Sequence, residues 1–257
     1  INDFAGKCEM VEIPCSRKYC DGQPIYVCKE SGLVRAKELM SSEKIADAWS
    51  KEVYSDSFGK DTYTARVPAV KARQTYVADF ADVNIGLKNK MLCDIGAGEG
   101  QFLEIITSAD YKAKAFGVEP SEKNCISLSR KNFKNFNGTI EDWEKSDQFE
   151  ENKFDVITIM WTLVASYSCL DMVNIAYKML KPGGYLVVAE GSRILVPFKK
   201  PLHMYFRSLL GDLHPYHFSA NSLTNLLKVN NFKIEHINRY MDSDILCIIG
   251  KKVHKLE

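Results

Sequence analysis

A chain of 257 residues is long enough for one large α/β domain with a well-filled core, or for such a domain with a small appendage. Its 34 Lys and Arg against 33 Asp and Glu leave a formal charge of +1, so no global field recommends nucleic acid or an anionic membrane as partner. No run approaches the roughly 18 apolar residues of a membrane span, and Ile1-Asn2-Asp3-Phe4 lacks the basic-then-apolar order of a signal peptide, so a cytoplasmic protein is expected.

Residues 1–40 read as a cysteine-rich segment carrying Cys8, Cys15, Cys20 and Cys28. Four thiolates are enough for a tetrahedral zinc site, and a cytoplasmic setting favours metal over disulfides. The spacings depart from a paired C-x-x-C ribbon, however. A degenerate ribbon held by packing is the expectation, with zinc as the alternative. Residues 41–84 are polar and helical, with Trp49, Tyr54, Tyr63, Arg66, Arg73 and Tyr76 placed to form a lid, or else the core face of a helix pair.

From residue 85 to 257 short apolar runs alternate with amphipathic segments, the pattern of βαβ units on a parallel sheet. Strands are expected at Lys90–Ile95, Lys114–Val118, Asn137–Ile140, Phe154–Met160 and Tyr185–Glu190, and helices at Gln101–Ser108, Ser121–Phe133 and Leu170–Leu180. Lys181-Pro182-Gly183-Gly184 is a stop and turn signal. A further helical stretch, Leu202–Leu210, precedes the helix at Ser219–Val229. Phe232–Tyr240 and Ile245–Lys251 then alternate around Asp242-Ser243-Asp244 as an antiparallel hairpin. The fold class is therefore α/β: a doubly wound, mostly parallel seven-stranded sheet whose ligands gather at the carboxyl ends of its strands.

Leu92-Cys93-Asp94-Ile95-Gly96-Ala97-Gly98-Glu99-Gly100 carries the most information. An apolar strand ends at an acid, and three glycines at alternate positions lead into a helix, so that backbone can lie directly against a ligand. Dinucleotide sites use G-x-G-x-x-G and place a pyrophosphate at the helix N-terminus. Here the spacing is G-x-G-x-G, and the Asp94 carboxylate would repel a phosphate but suit an ammonium. Downstream, Glu119-Pro120 ends the next strand where a ribose diol could be held, and Thr139-Ile140-Glu141-Asp142-Trp143 offers polar and aromatic groups to an adenine.

Taken with Phe154-Asp155-Val156-Ile157 and Met179–Tyr185, these motifs resemble class I S-adenosylmethionine (SAM)-dependent methyltransferases over roughly residues 70–251. That resemblance implies the Rossmann-like methyltransferase fold and SAM as cofactor. It places Gly96, Ala97 and Gly98 along the methionine and ribose, Glu119 on the ribose hydroxyls, and Thr139, Ile140, Glu141 and Asp142 around the adenine. Within the class, the chain is similar to small-molecule methyltransferases, sugar methylases included, that carry a cysteine-rich N-terminal segment. Tyr26–Val34 resembles a knuckle of their zinc segment, with Ser31 in place of a thiolate, and losing a thiolate removes much of the binding energy of such a site.

Relatives carry a His-x-Leu-Glu-His run after the fourth strand; Trp161-Thr162-Leu163-Val164-Ala165 stands there instead, and no base carries over. Trp161 is expected against the adenosine or the acceptor, or else in the core. The candidate base lies at His214 or His217, since similar enzymes hold a His near a Phe-Ser pair in this region, and Phe218-Ser219 follows here. The expected activity is methyl transfer to a small acceptor. Its alternatives are a non-catalytic SAM-binding scaffold and a nicotinamide oxidoreductase.

Overall fold

The computed structural model describes residues 9–14, 16–19, 22, 24–37, 41, 44, 53–191, 215–238 and 245–254, with Tyr19 and residues 53–67 described by backbone alone. Its main sheet has seven strands. In chain order they are β4 (Met91–Ile95), β5 (Lys114–Glu119), β6 (Lys134–Asn137), β7 (Phe154–Met160), β8 (Leu180–Gly191), β10 (Phe232–Ile237) and β11 (Ile245–Lys252). Across the sheet the order is β10-β11-β8-β7-β4-β5-β6. Only β11 runs against its neighbours, pairing antiparallel to both β8 and β10. This is the mostly parallel sheet with one hairpin that the alternation of apolar runs predicts.

Helices cover both faces. On one lie α2 (Val53–Ile85), α3 (Gln101–Thr107) and α4 (Glu122–Arg130); on the other lie α5 (Ile140–Glu144), α6 (Cys169–Met179) and α7 (Ala220–Val229). Because successive strand residues point to opposite faces, the strands feed two cores at once. Leu92, Val156, Val187 and Ile249 join Val77, Ala81, Phe102 and Leu103 in one cluster. Cys93, Ile157, Leu186 and Ile248 join Trp143, Met172, Val173 and Leu223 in the other. Strands buried on both faces read as continuous apolar runs, which is why Phe154–Met160 has no polar alternation.

The carboxyl half of α2 is a layer of this packing: Val77, Ala78 and Ala81 are fully buried. Tyr111 donates to Asp79 Oδ1 at 2.7 Å, and Asn238 Nδ2 donates to the Tyr76 hydroxyl at 3.0 Å. Trp49 and the side chains of Tyr54, Tyr63 and Arg66 lie outside the described residues, as does the stretch 202–210.

A second, four-stranded sheet is antiparallel throughout, in the order β1-β2-β3-β9, from β1 (Met10–Glu12), β2 (Ile25–Cys28), β3 (Val34–Ala36) and β9 (Tyr216–His217). Between β1 and β2 runs the single turn α1 (Ser16–Tyr19). Met10, Cys28 and Leu33 belong to the same buried cluster as Phe218, Leu223 and the strands of the main sheet. Cys8, Cys15 and Cys20 lie outside the described residues; Cys28 is buried at the end of β2, where its Sγ accepts the Ser31 N–H at 3.2 Å. Among the described residues no group of three or more His, Cys, Asp or Glu could hold a metal ion, and no helix is long and apolar enough to cross a membrane.

Two expectations are overturned. The helix α6 does stop before Lys181-Pro182-Gly183-Gly184, but these four residues lie within β8 rather than in a turn, with Gly183 at φ 74°. The third strand runs Lys134–Asn137, and residues 139–144 form a capped helical turn where a strand over Asn137–Ile140 was expected. Thr139 and Asp142 form a reciprocal capping box: the Asp142 N–H donates to Thr139 Oγ1 at 3.1 Å, and the Thr139 N–H donates to Asp142 Oδ2 at 3.0 Å. Two otherwise orphaned donors are satisfied together, which favours a helix start over a strand end.

Candidate active site

Asp94 is the last but one residue of β4, in register with Gly117 of β5 and Thr158 of β7. Only 2% of it is exposed, and the Thr158 hydroxyl donates to its Oδ1 at 2.6 Å. Burial pushes the carboxyl up to about 7; the Thr158 bond opposes that shift and the charge of Glu119 adds to it.

The turn that follows is closed by β5. Both the Gly96 N–H and the Ala97 N–H donate to Val118 O, at 2.8 and 3.1 Å. Gly96 has φ 81°, and a Cβ there would fall on the Thr162 hydroxyl, so backbone angle and crowding both demand glycine. Gly98 has φ 55°, and nothing lies within 4 Å of where its Cβ would be, which leaves room for a ligand against the backbone. Glu119, at the end of β5, reaches back under this loop. Its Oε2 accepts the Gly98 N–H at 2.8 Å, while Oε1 accepts the Ser121 N–H at 3.0 Å and Asn124 Nδ2 at 3.3 Å. Burial raises this carboxyl, against the pull of those three donors. Pro120, half-buried, leads from it to Ser121, which caps α4.

Beyond β6, the Thr139 and Asp142 side chains are engaged in the cap of α5. Ile140 and Trp143 are buried in the core, and Trp143 stacks on Phe116 with ring centroids 4.9 Å apart and on Phe136 at 5.8 Å. Trp143 is thus a core residue, where the sequence offered it to an adenine. Glu141 is half-buried, and burial raises its carboxyl.

At the end of β7, Trp161 is half-buried with φ 53°, and its N–H donates to Ala189 O at 2.8 Å. The Thr162 hydroxyl is shared between Met160 O at 3.0 Å and Ile95 O at 3.2 Å. A 3-10 turn, Leu163–Ala165, follows with all three side chains buried, and Trp161–Ala165 contains no side chain that could act as a base. His217 lies in β9 opposite Val34, in a sheet that packs on this turn, and the neighbouring Tyr216 hydroxyl donates to Tyr167 O at 3.1 Å. His214 lies outside the described residues.

Residues 70–237 match the family model described as a methyltransferase domain. The chain belongs to that family. It is a SAM-dependent methyltransferase with the class I fold. Among solved structures, it is similar to the Burkholderia thailandensis 1,6-didemethyltoxoflavin-N1-methyltransferase with bound 1,6-didemethyltoxoflavin and S-adenosylhomocysteine, at TM-score 0.60 and 11% identity, covering 90% of this chain and 96% of that one. A Thermotoga maritima SAM-dependent methyltransferase, a possible histamine N-methyltransferase, matches at TM-score 0.51 and 22% identity, covering 73% and 96%. A chain of the complex between the Haloferax volcanii Trm112 methyltransferase activator and its putative methyltransferase matches at TM-score 0.57 and 12% identity, covering 84% and 100%. No curated protein matches the sequence of this methyltransferase.

The fold of the methyltransferase brings Asp94, the glycine loop, Glu119-Pro120 and Trp161-Thr162 to one edge of the sheet. Three functional neighbours escape sequence reasoning: Thr158, which holds Asp94; Thr162, which packs on Gly96; and Glu190, whose Oε1 accepts the Leu163 N–H at 2.9 Å. For the first two no local signal exists, because their partners are on other strands. Glu190 carried one: an acid closing an otherwise apolar run, Tyr185–Glu190.

Proposed function

We propose that this methyltransferase transfers the methyl group of SAM to oxygen, nitrogen or carbon of a small metabolite by in-line displacement. The observation that carries the reading is the Gly98 N–H held by Glu119 beneath open space, beside the buried Asp94 carboxyl. The same open space over left-handed backbone is what a bound nucleoside moiety needs, so the residues present fit the cofactor. SAM supplies an electrophilic methyl group on a sulfonium, which leaves the protein chiefly the work of alignment.

Asp94 takes the ammonium of the methionine moiety, directly or through water. Gly96, Ala97 and Gly98 lie along the methionine and ribose. Glu119 takes a ribose hydroxyl: a carboxylate has about four lone-pair positions, and three donors already use it, so one hydroxyl fits without rearrangement of the loop. Pro120 and the turn Thr139, Ile140, Glu141 and Asp142 border the adenine, with backbone and Glu141 as the groups left to read it. Trp161 flanks the adenosine or the acceptor. The small acceptor finds a parallel in the Burkholderia enzyme, which holds 1,6-didemethyltoxoflavin beside S-adenosylhomocysteine.

When the acceptor is a hydroxyl or an acidic carbon, a proton must leave. His214 or His217 accepts it, since a neutral imidazole nitrogen is well suited to take a proton from a bound acceptor. The packing of β9 on the turn after β7 supports this placement of His217.

Titration calorimetry with S-adenosylhomocysteine tests the cofactor assignment. Glu119→Ala weakens binding roughly tenfold or more, because it removes a ribose acceptor and frees the Gly98 amide; unchanged affinity would overturn the assignment. Transfer of tritiated methyl to a metabolite extract identifies the acceptor. Single-turnover rates of His214→Ala and His217→Ala then locate the base: loss of about 10²-fold in one variant with cofactor affinity kept marks it, and full rates in both reject it.

A further inference from the structure

Glu190 is fully buried at the carboxyl end of β8. An acid enclosed by apolar strands is unfavourable unless its polar atoms are used. One oxygen is used: Oε1 accepts the N–H of Leu163, the first residue of the 3-10 turn. Thr162, at the cap position of that turn, makes no side-chain capping bond, so an acceptor from a neighbouring strand does the capping instead. Burial raises the Glu190 carboxyl to about 8, and the backbone N–H groups of Leu163, Val164 and Thr162 pull it back. Oε2 has no hydrogen-bond partner among the described residues.

Two residues before Leu163, Trp161 sits at φ 53°, where a bulky side chain is rarely found unless its surroundings hold it. Two tethers to β8 flank the site: the Trp161 N–H on Ala189 O and the Leu163 N–H on Glu190. Between them, the Thr162 hydroxyl crosses to Ile95 O at 3.2 Å and packs on Gly96. The Trp161–Leu163 turn therefore links the end of β8 mechanically to the glycine loop.

We propose that Glu190 is the positioning residue of the cofactor site: it fixes Trp161 and Thr162 against the glycine loop and so sets how tightly the cofactor is held, without touching cofactor or acceptor. This rests on the reading of the glycine loop and Trp161 as cofactor contacts. Glu190 acts through the turn, and shortening it by one methylene withdraws Oε1 from Leu163 while keeping the acid.

S-adenosylhomocysteine is titrated into the full chain and its variants. Glu190→Gln, which keeps an acceptor oxygen at the same reach, binds within about threefold of the unmodified chain, whereas Glu190→Asp binds about tenfold more weakly. Because part of the effect runs through Trp161, Glu190→Asp added to Trp161→Ala weakens binding by clearly less than the product of the two single effects; a residue that only supports the fold would lower the melting temperature and leave the two effects additive. Amide exchange at Leu163 in the unmodified chain, which needs no variant to fold, slows when S-adenosylhomocysteine binds. Wild-type affinity in Glu190→Asp, full additivity with Trp161→Ala, or unchanged exchange at Leu163 each overturns the positioning role while leaving the cofactor assignment standing. Absence of S-adenosylhomocysteine binding by the unmodified chain overturns both.

Discussion

Asp94 and Glu190 are both carboxyls enclosed by apolar strands, and they differ in what they can do with a charge. Asp94 lies beside the glycine loop with its carboxyl raised to about 7 by burial. If its anion receives the ammonium of the cofactor, binding must draw on the ionised form. Affinity for S-adenosylhomocysteine is then level above about pH 8 and falls by up to tenfold per unit below about 7, while Asp94→Asn binds weakly and without that slope. Calorimetry across this range in buffers of different ionisation enthalpy checks both the slope and the release of a proton. Glu190, apart from the positioning role of its side chain, bears on stability through its proton. Its native carboxyl titrates at about 8 against 4.5 for an ordinary glutamate, so between these values the folded chain keeps a proton that the unfolded chain has lost. The contribution of Glu190 to stability is therefore fullest below 4.5 and declines as pH rises through the window, at no more than about 1.4 kcal/mol per pH unit for one proton. Urea unfolding of Glu190→Gln across the same window shows a shallower decline; the part that remains belongs to Asp94, up to about 7, and to Glu119 and Glu141, whose shifts have the same sign.

At the level of the element, the glycine loop works only with the turn after β7, because the Thr162 hydroxyl occupies the space above Gly96. Gly96→Ala both forces a residue with a Cβ into φ 81° and pushes Thr162 away, so it destabilises by about 1–3 kcal/mol and weakens S-adenosylhomocysteine by tenfold or more. Thermal melts and titration of the same preparation read the two effects. The loop itself was legible in the sequence through its ordered set with Glu119, Glu141-Asp142 and Lys181–Gly184, since glycines alone are what any turn can demand. The helical turn Ile140–Glu144 was legible in principle, because Thr139 and Asp142 have the spacing of a capping box, but Asn137–Ile140 reads equally as a strand end. Trp143 was misplaced for a related reason. An aromatic at a helix start looks accessible until the stacking partners Phe116 and Phe136, on other strands, are known. Thr158 owes its role to pairing across the sheet, which local sequence does not encode, whereas Glu190 shows only as an acid closing an apolar run, its partner Leu163 lying in a separate turn.

For the whole molecule, the small antiparallel sheet is continuous with the main core. Leu33 is 1% exposed and shares a cluster with Phe218 and the main-sheet strands, though it stands far from them in the chain. Leu33→Ala therefore costs about 2–4 kcal/mol, and the loss appears in one cooperative transition rather than as early melting of an appendage. Calorimetric and circular-dichroism melts that coincide in the variant check this; a separate early transition would contradict it. The two residues of β9 could not be foreseen, because a strand that short exists only through its partner, β3.

That pairing also sets an order of events during synthesis. The meander β1-β2-β3 can close as soon as residue 36 has emerged, but the outer edge of β3 waits for Tyr216 and His217. The Ser219 hydroxyl that seals the junction donates to Ser31 O across 188 residues. At roughly 5–20 residues per second, the ribosome delivers that partner on the order of ten to forty seconds later. Through that interval the nascent chain presents an unpaired strand edge, and neighbouring ribosomes on one message hold identical edges close by. The late arrival of β9 thus leaves the outer edge of β3 open to pairing with a second copy before release.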